Sequence, residues 1–366
     1  MPGYTLPDRR SLKNKLGATS HSELEKLEAV PVKIRLLQIS EGRGPSGRFD
    51  AAYLKAIHAY LFQDVFEWAG RTRDERVLLS DGSTATEPLL AKLDGQPFLA
   101  GPAIPRVLAG IFEALARANY LRGLSREVFA ERAADLLSDL NSVHPFREGN
   151  GRTQRSFLTA VAVEAGHGLD FSVISRERMV QASIAASDGD RSMMRRMFEE
   201  ISDPSRVANL RKGIGALERL RMTGASKLDW NSQYVATARP GQPDPLVLAG
   251  ISGEQFMART QTAILFGNTR DLPEPRPGRG ESFMLAGPGG ATAPQLDIVR
   301  RSIAAFEQLD RGLSRRRLDA QQAIVKAAEG LADGAAGTLT IRERATLDQA
   351  RAAVAKRRER GPGLDL

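Results

Sequence analysis

The chain of 366 residues carries a formal net charge of +8 and a pI near 9.9, with 42% hydrophobic and 26% charged residues. That balance suits a globular protein of two or three domains and excludes a disordered chain. The longest apolar run, near Phe157 to Ala165, falls short of the roughly 18 apolar residues a membrane-spanning helix needs. The chain has no cysteine, which removes disulfides, thiolate metal sites and thiol nucleophiles and fits a reducing cytoplasm. No apolar segment follows the basic residues near the N-terminus, so no secretory leader is expected. The positive balance favours anionic partners, whether a nucleotide, an acidic protein or nucleic acid.

The first 200 or so residues read as mainly helical, with one interruption. Between Arg73 and Pro88 the apolar run Val77-Leu78-Leu79 ends in the turn residues Ser80-Asp81-Gly82, the pattern of a short hairpin or flap. Ile104, Val107, Leu108, Ile111, Phe112 and Leu115 then recur at three and four, as one buried helical stripe does. Phe129, Ala133, Leu136, Leu137 and Leu140 form a second stripe, and Phe157, Leu158, Val161, Ala162 and Ala165 a third. Together they predict a helical bundle. After Asp203-Pro204 a helix is expected through Leu210, Leu217 and Leu220. Strand-like runs follow at Tyr234 to Ala238, Leu246 to Ile251 and Thr262 to Phe266, separated by Pro240-Gly241 and Ser252-Gly253, and they predict a small β-barrel.

Residues 286–294 are rich in glycine, proline and alanine and read as a linker. Beyond it Val299, Ile303, Phe306, Leu309 and Leu313 keep helical spacing, and Thr340-Ile341-Arg342-Glu343 has the form of a capping box. The expected domains are therefore 1–204, 205–285, the linker 286–294, and a helical basic tail over 295–366 that ends near Lys356-Arg357-Arg358.

Chemistry concentrates in Val143-His144-Pro145-Phe146-Arg147-Glu148-Gly149-Asn150-Gly151-Arg152-Thr153-Gln154-Arg155, a loop feeding a helix between two amphipathic stripes. Gly149 and Gly151 let backbone approach a ligand, and the first turn of the following helix offers unpaired N–H groups to an anion. Arg152 and Arg155 are three apart, so both project from one side of that helix and suit successive phosphates. Glu148 offers a hard oxygen suited to Mg²⁺. His144, whose imidazole is largely neutral at pH 7 when unperturbed, is the candidate general base.

The segment resembles the signature of the Fic family, His-Pro-Phe-x-Asp/Glu-Gly-Asn-Gly-Arg-x-x-Arg, at every defined position. The resemblance implies a helical Fic core at 1–204 that binds ATP with Mg²⁺ and transfers AMP to a Tyr, Thr or Ser hydroxyl of a target protein. It makes His144 the base, places Phe146 in the core after Pro145, and gives Mg²⁺ to Glu148. It assigns Gly149 and Gly151 to the anion hole, Asn150 to the α-phosphate, Arg152 to the β-phosphate and Arg155 to the γ-phosphate. Glycine at 151, where phosphorylating Doc-like relatives carry lysine, argues for adenylylation. Tyr4 with Leu12-Lys13-Asn14-Lys15-Leu16-Gly17, Ile57-His58, and Phe66-Glu67-Trp68-Ala69-Gly70-Arg71 with Arg73 are similar to the N-terminal portion of the family. His58 is read as a buried structural histidine. The flap, with Val77, Leu78, Leu79, Ser80, Asp81 and Gly82, stands where the family clamps an extended target segment.

Many Fic enzymes are inhibited by a helix with the pattern Ser/Thr-x-x-x-Glu-Gly/Asn. Here Glu precedes Gly only at Glu41, Glu148 and Glu329, with Leu37, His144 and Val325 four residues earlier, so the pattern is missing. A separate small antitoxin reaching Arg155 is therefore expected. From about Asp229 to Phe283, with Trp230-Asn231, Tyr234, Phe256-Met257 and Asp271-Leu272-Pro273, the chain resembles the OB-like barrel that follows Fic in Bartonella-type toxins and type IV secretion effectors. That resemblance implies the type II topoisomerases, gyrase B and topoisomerase IV, as targets, and delivery into another cell by type IV secretion. The competing reading is a nucleic-acid-binding or secretion-linked adaptor with an inactive Fic core.

Overall fold

A computed structural model of the protein describes residues 3–8, 10–91, 97–242 and 244–285, with shorter stretches between 301 and 354. The chain divides into two compact units, Met1–Ala208 and Asn209–Leu366.

The first unit is helical: α1 (His21–Ser40), α2 (Ala51–Phe62), α3 (Ile104–Arg117), α4 (Arg126–Val143), α5 (Asn150–Glu164), α6 (Arg176–Ser187) and α7 (Ser192–Ile201). Four of these start on a side-chain cap, since Ser20, Asp50, Ser125 and Ser175 each accept a hydrogen bond from the backbone N–H three residues on. At α1 Glu23 also reaches back to the N–H of Thr19. The three stripes read from the sequence are the buried faces of α3, α4 and α5. Leu54, Ile57, Leu61 and Phe62 of α2 join Phe129, Leu137 and Leu140 of α4 and Phe157, Leu158 and Val161 of α5 in the core. Small Ala130, Ala133 and Ala134 line α4, whose acids Glu131, Asp135 and Asp139 pair with Arg195 of α7 and with Arg191 just ahead of it.

The segment between Arg73 and Pro88 is a hairpin, β1 (Val77–Leu78) antiparallel to β2 (Thr84–Ala85). Gly82, at φ 79°, makes its turn in the left-handed region. Lys13 holds the tip through Asp81 at 2.7 Å, and Glu67 accepts from both the N–H and the hydroxyl of Ser80.

The helix expected after Asp203 is α8 (Pro204–Met222), which runs into the second unit. The remaining strands are β3 (Tyr234–Thr237), β4 (Leu246–Ser252), β5 (Gln255–Arg259), β6 (Ala263–Asn268) and β7 (Ser282–Phe283). They form one sheet in the order β3-β6-β5-β4-β7, with β3 parallel to β6 and every other pair antiparallel. The strands at β5 and β7 go beyond the three read from the sequence. β5 follows β4 after only Gly253-Glu254, and β7 is two residues long beside glycine and proline. The N–H of Gly241, past β3, donates to the carbonyl of Leu285, past β7, and so brings the two outer strands' ends together. Leu246, Leu248, Phe256, Ala258, Leu265 and Phe283 fill the sheet's core.

The linker 286–294 lies outside the described residues, as do Val299, Leu309, Leu313, Thr340 to Glu343 and Lys356 to Arg358. Where the tail is described it is helical apart from a turn at Ala328, and Ile303, Phe306, Ile324, Ala328, Leu347 and Ala350 bury one another. Among the described residues no helix is long and apolar enough to cross a membrane.

A Cβ on Gly267 would lie 2.2 Å from the Phe256 ring, whereas one on Gly250 would meet nothing within 4 Å. Gly267→Ala should lower unfolding free energy by about 1–3 kcal/mol in denaturant titration. Gly250→Ala should stay within about 0.5 kcal/mol of wild type.

Candidate active site

The loop joining α4 to α5 is bracketed by two left-handed residues. His144 is the C-cap of α4 at φ 46°, ψ 61°, and Gly149 is the N-cap of α5 at φ 81°, ψ 6°. Between them the chain closes on Asn150, whose Oδ1 accepts from the Phe146 N–H at 2.9 Å and whose Nδ2 donates to the Phe146 carbonyl at 2.7 Å. The Asn150 amide, 3% exposed, thus shapes the loop through one acceptor and one of its two N–H donors. Phe146 is buried and its ring stacks on His58 at 3.9 Å.

His58 supports the loop from below. Its Nδ1 accepts from the Gly70 N–H at 2.7 Å, so Nε2 carries the proton that it donates to the Glu148 carbonyl at 3.0 Å. Burial holds its pKa down to about 3; the bond to that carbonyl offsets this in part, and nearby Arg152 adds to it.

Unlike α1, α2, α4 and α6, α5 begins with no side-chain cap. Its first N–H groups, at the positive end of its dipole, therefore have no capping side chain. A Cβ at Gly149 would sit 2.3 Å from the Phe62 ring, so only glycine lets the loop lie against α2. Arg152 lies over that same ring at 4.7 Å, pairs with Glu28 of α1 at 2.6 Å, and reaches Glu148 at 3.4 Å. Arg155 folds back towards the helix start, with Nη1 3.1 Å from where a Gly151 Cβ would be. Burial, and then repulsion from Arg152, depress its pKa. Among the described residues no carboxylate pairs with Arg155. The two guanidiniums lie on one side of α5 beside its open start.

Glu148 is half-exposed, and its Oε1 accepts from the Gly149 N–H at 2.8 Å. The His144 imidazole stacks on Phe98 at 3.9 Å with an interplanar angle of 14°. In the flap, Leu79 is buried, Val77 is half-buried and Leu78 is 75% exposed. Lys13, and then Ser83, hold the Asp81 carboxyl well below the ordinary range.

The structure therefore gathers His144, Glu148, Gly149, Asn150, Gly151, Arg152 and Arg155 into one turn and helix start. Glu28, Phe62 and Phe98 join that site from distant segments with no signal in the sequence pattern. The Trp68-Ala69-Gly70 stretch is visible in the sequence, although its service to His58 is not.

Comparison with known proteins settles the family. A family model described as Fic/DOC family matches residues 48–162. The chain is 35% identical over 312 residues to a protein adenylyltransferase of Bartonella henselae, covering 84% of this chain and 55% of that one. It is 34% identical, with a TM-score of 0.69, to the structure of the type IV secretion system effector protein BepA, covering 77% of this chain and 96% of that chain. This chain belongs to the Fic/DOC family. A further structure, BepC of Bartonella tribocorum, a VirB-translocated effector protein with bound AMPPNP, is 39% identical with a TM-score of 0.53, over 55% of this chain and 96% of that one. The chain spans about half the length of the Bartonella henselae relative.

His58 sets a pH dependence of this Fic core. The folded His58 takes a proton only near pH 3, whereas an unfolded one does so near 6.5. Below pH 6.5 the unfolded state therefore binds the extra proton, and stability falls as pH drops through that window. His58→Gln should be less stable at pH 7. Its stability should also fall less steeply from pH 6.5 to 4, by up to about 1.4 kcal/mol per pH unit, in denaturant titrations across pH.

Proposed function

We propose that the protein transfers AMP from ATP to a hydroxyl side chain of a target protein. The observation that carries this is the uncapped start of α5, with Arg152 and Arg155 on one side of it and His144 at the other end of the same turn. Backbone donors and two planar guanidiniums suit a polyphosphate. The adenylyltransferase name of the Bartonella henselae relative and the nucleotide analogue in BepC agree with that reading.

In this mechanism the target oxygen forms a bond to the α-phosphorus while the bond to the β-phosphate bridging oxygen breaks and pyrophosphate leaves. His144 takes the proton of the attacking hydroxyl. The α5 N–H groups and Arg152 hold the phosphates in line, and Glu28 with the Phe62 ring fixes the direction of Arg152. Asn150 keeps the cradle's shape through Phe146.

Mg²⁺ fits the donor set at Glu148. The side chain is half-exposed at the loop's tip, and only Oε1 is engaged among the described residues. Magnesium commonly takes one or two carboxylates and completes its shell with water and phosphate oxygens. No group of three or more metal-ligating side chains is found among the described residues, which suits an ion held jointly with a nucleotide. Bound there, it would neutralise phosphate charge.

The flap, with Leu78 exposed and its tip anchored by Lys13 and Glu67, is assigned to the target segment, which would add as a strand. Gyrase B and topoisomerase IV are the candidate targets. Arg155, with no carboxylate partner among the described residues, is where the glutamate of a separate antitoxin would bind. The sheet order of the second unit supports the OB-like reading, and the BepA likeness supports delivery by type IV secretion.

Incubated with ATP, Mg²⁺ and bacterial lysate, the wild type should add AMP to a protein band, identified by mass spectrometry. His144→Ala should lower the labelling rate by about 10²–10⁴-fold. Arg155→Ala should weaken ATP binding in calorimetry by roughly 10- to 100-fold, the worth of a charged hydrogen bond of about 1.5–3 kcal/mol. Equal labelling by wild type and His144→Ala would remove the base assignment.

A further inference from the structure

Arg73 lies between the Trp68-Ala69-Gly70 stretch and the flap, and it is fully buried. Among the described residues no carboxylate forms an ion pair with it. Among the described residues its guanidinium donates only to backbone carbonyls: Nε to His144 at 2.9 Å, Nη1 to Pro88 at 2.7 Å and to Glu87 at 3.4 Å, and Nη2 to Leu99 and, at 3.4 Å, to Val143. Its own N–H donates to the Pro145 carbonyl and its carbonyl accepts from the Glu87 N–H, both at 2.8 Å.

Those carbonyls belong to three separate segments: the base of the flap, the loop ahead of α3, and the end of α4. Burying a charge is costly, and Asp74 and Glu87 offset that cost only through space, with burial still the larger influence on the guanidinium, so the carbonyls supply its direct hydrogen bonds together. Two of them, Val143 and His144, stand at the negative end of the α4 dipole, which favours a cation there. The planar fork of arginine carries five donors at fixed angles, whereas lysine carries three on one atom. Arg147, in the same loop as His144, adds an ion pair to Glu87 at the flap base.

The held segment includes a residue in an uncommon backbone state. His144 has φ 46°, a region costly for a side chain other than glycine, and such outliers persist only where surrounding bonds enforce them. The Nε bond fastens the carbonyl of that residue. Leu99, fastened by Nη2, is next in sequence to Phe98, whose ring stacks on the His144 imidazole. The same guanidinium therefore holds His144 by its own carbonyl and Phe98 through the carbonyl of its neighbour Leu99.

We propose that Arg73 is a positioning residue that clamps the flap base, the Phe98–Leu99 loop and His144 into one unit, so that the seat of the target and the aim of the imidazole are set together. The inference rests on His144 being the base in AMP transfer, but its structural part can be tested without that reaction. Arg178 supplies the control. It too is fully buried, but it pairs with Glu200 at 2.8 Å between α6 and α7.

The chain has four histidines, so the ring ¹⁵N resonances of His144 can be identified by their loss in His144→Ala. In the full chain, Arg73→Lys should shift the His144 ring resonances and Arg178→Lys should leave them in place. At saturating ATP, Arg73→Lys should cut lysate labelling on the order of 10²-fold, the cost of roughly 1 Å of misplacement. ATP affinity should change by less than about two-fold, since the loss is in turnover and not in uniform binding. Unmoved His144 resonances, or labelling no worse than in Arg178→Lys, would overturn the proposal. If the wild type labels nothing while the resonances move only in Arg73→Lys, the clamp stands and the transfer reading fails. Should Arg73→Lys not fold, hydrogen exchange of the wild type decides. The amides of Arg73, Glu87 and His144 should open as one unit, and independent opening of Glu87 would overturn the clamp.

Discussion

The Asn150 carboxamide meets both backbone groups of Phe146, and the rest of the site depends on that closure. It turns the chain from the end of α4 into the start of α5 within a few residues, with Phe146 beneath the turn as a buried anchor. His58 then stacks on Phe146 and fastens the Glu148 carbonyl. Each part is individually modest, but they are arranged in sequence, and loosening one would leave buried polar atoms of the next without partners.

The open start of α5 follows from this arrangement. Serine or aspartate caps begin α1, α2, α4 and α6, whereas the cap position of α5 holds a glycine that no side chain can replace without striking Phe62. The donors left over face two arginines, one braced by Glu28 and one without a carboxylate among the described residues. Positive charge and unpaired N–H groups gathered in one place favour an anion, and the fold supplies the bracing before any ligand arrives.

Much of this is legible in the sequence because it is local. The stripes of α3, α4 and α5 and the run from His144 to Arg155 carry their own periodicity and spacing, and the hairpin carries its turn residues. What the pattern does not carry is long-range. Glu28 stands 124 positions from Arg152 within α1, whose interior Pro31 breaks the usual helical signal. Phe98 is one aromatic beside Pro97, Leu99 and Ala100, with no periodicity to mark it. The family resemblance assigns Asn150 to phosphate, whereas the bonds its amide makes to both backbone groups of Phe146 are a further role that spacing alone does not show. The strand β5 is hidden because only two residues part it from β4, and β7 by its length of two residues. His58 reads as structural from its helical stripe, and its buried, doubly bonded ring shows what that structure supports.

The contact between Gly149 and Phe62 limits the order in which this sequence can change. Position 62 can lose its ring while position 149 stays as it is, giving up the surface on which Arg152 rests. The reverse order is closed, because any added carbon at 149 meets the ring first and must then also accept a left-handed backbone. Drift at these two sites is thus one-directional, and even the permitted route leaves the glycine under conformational constraint.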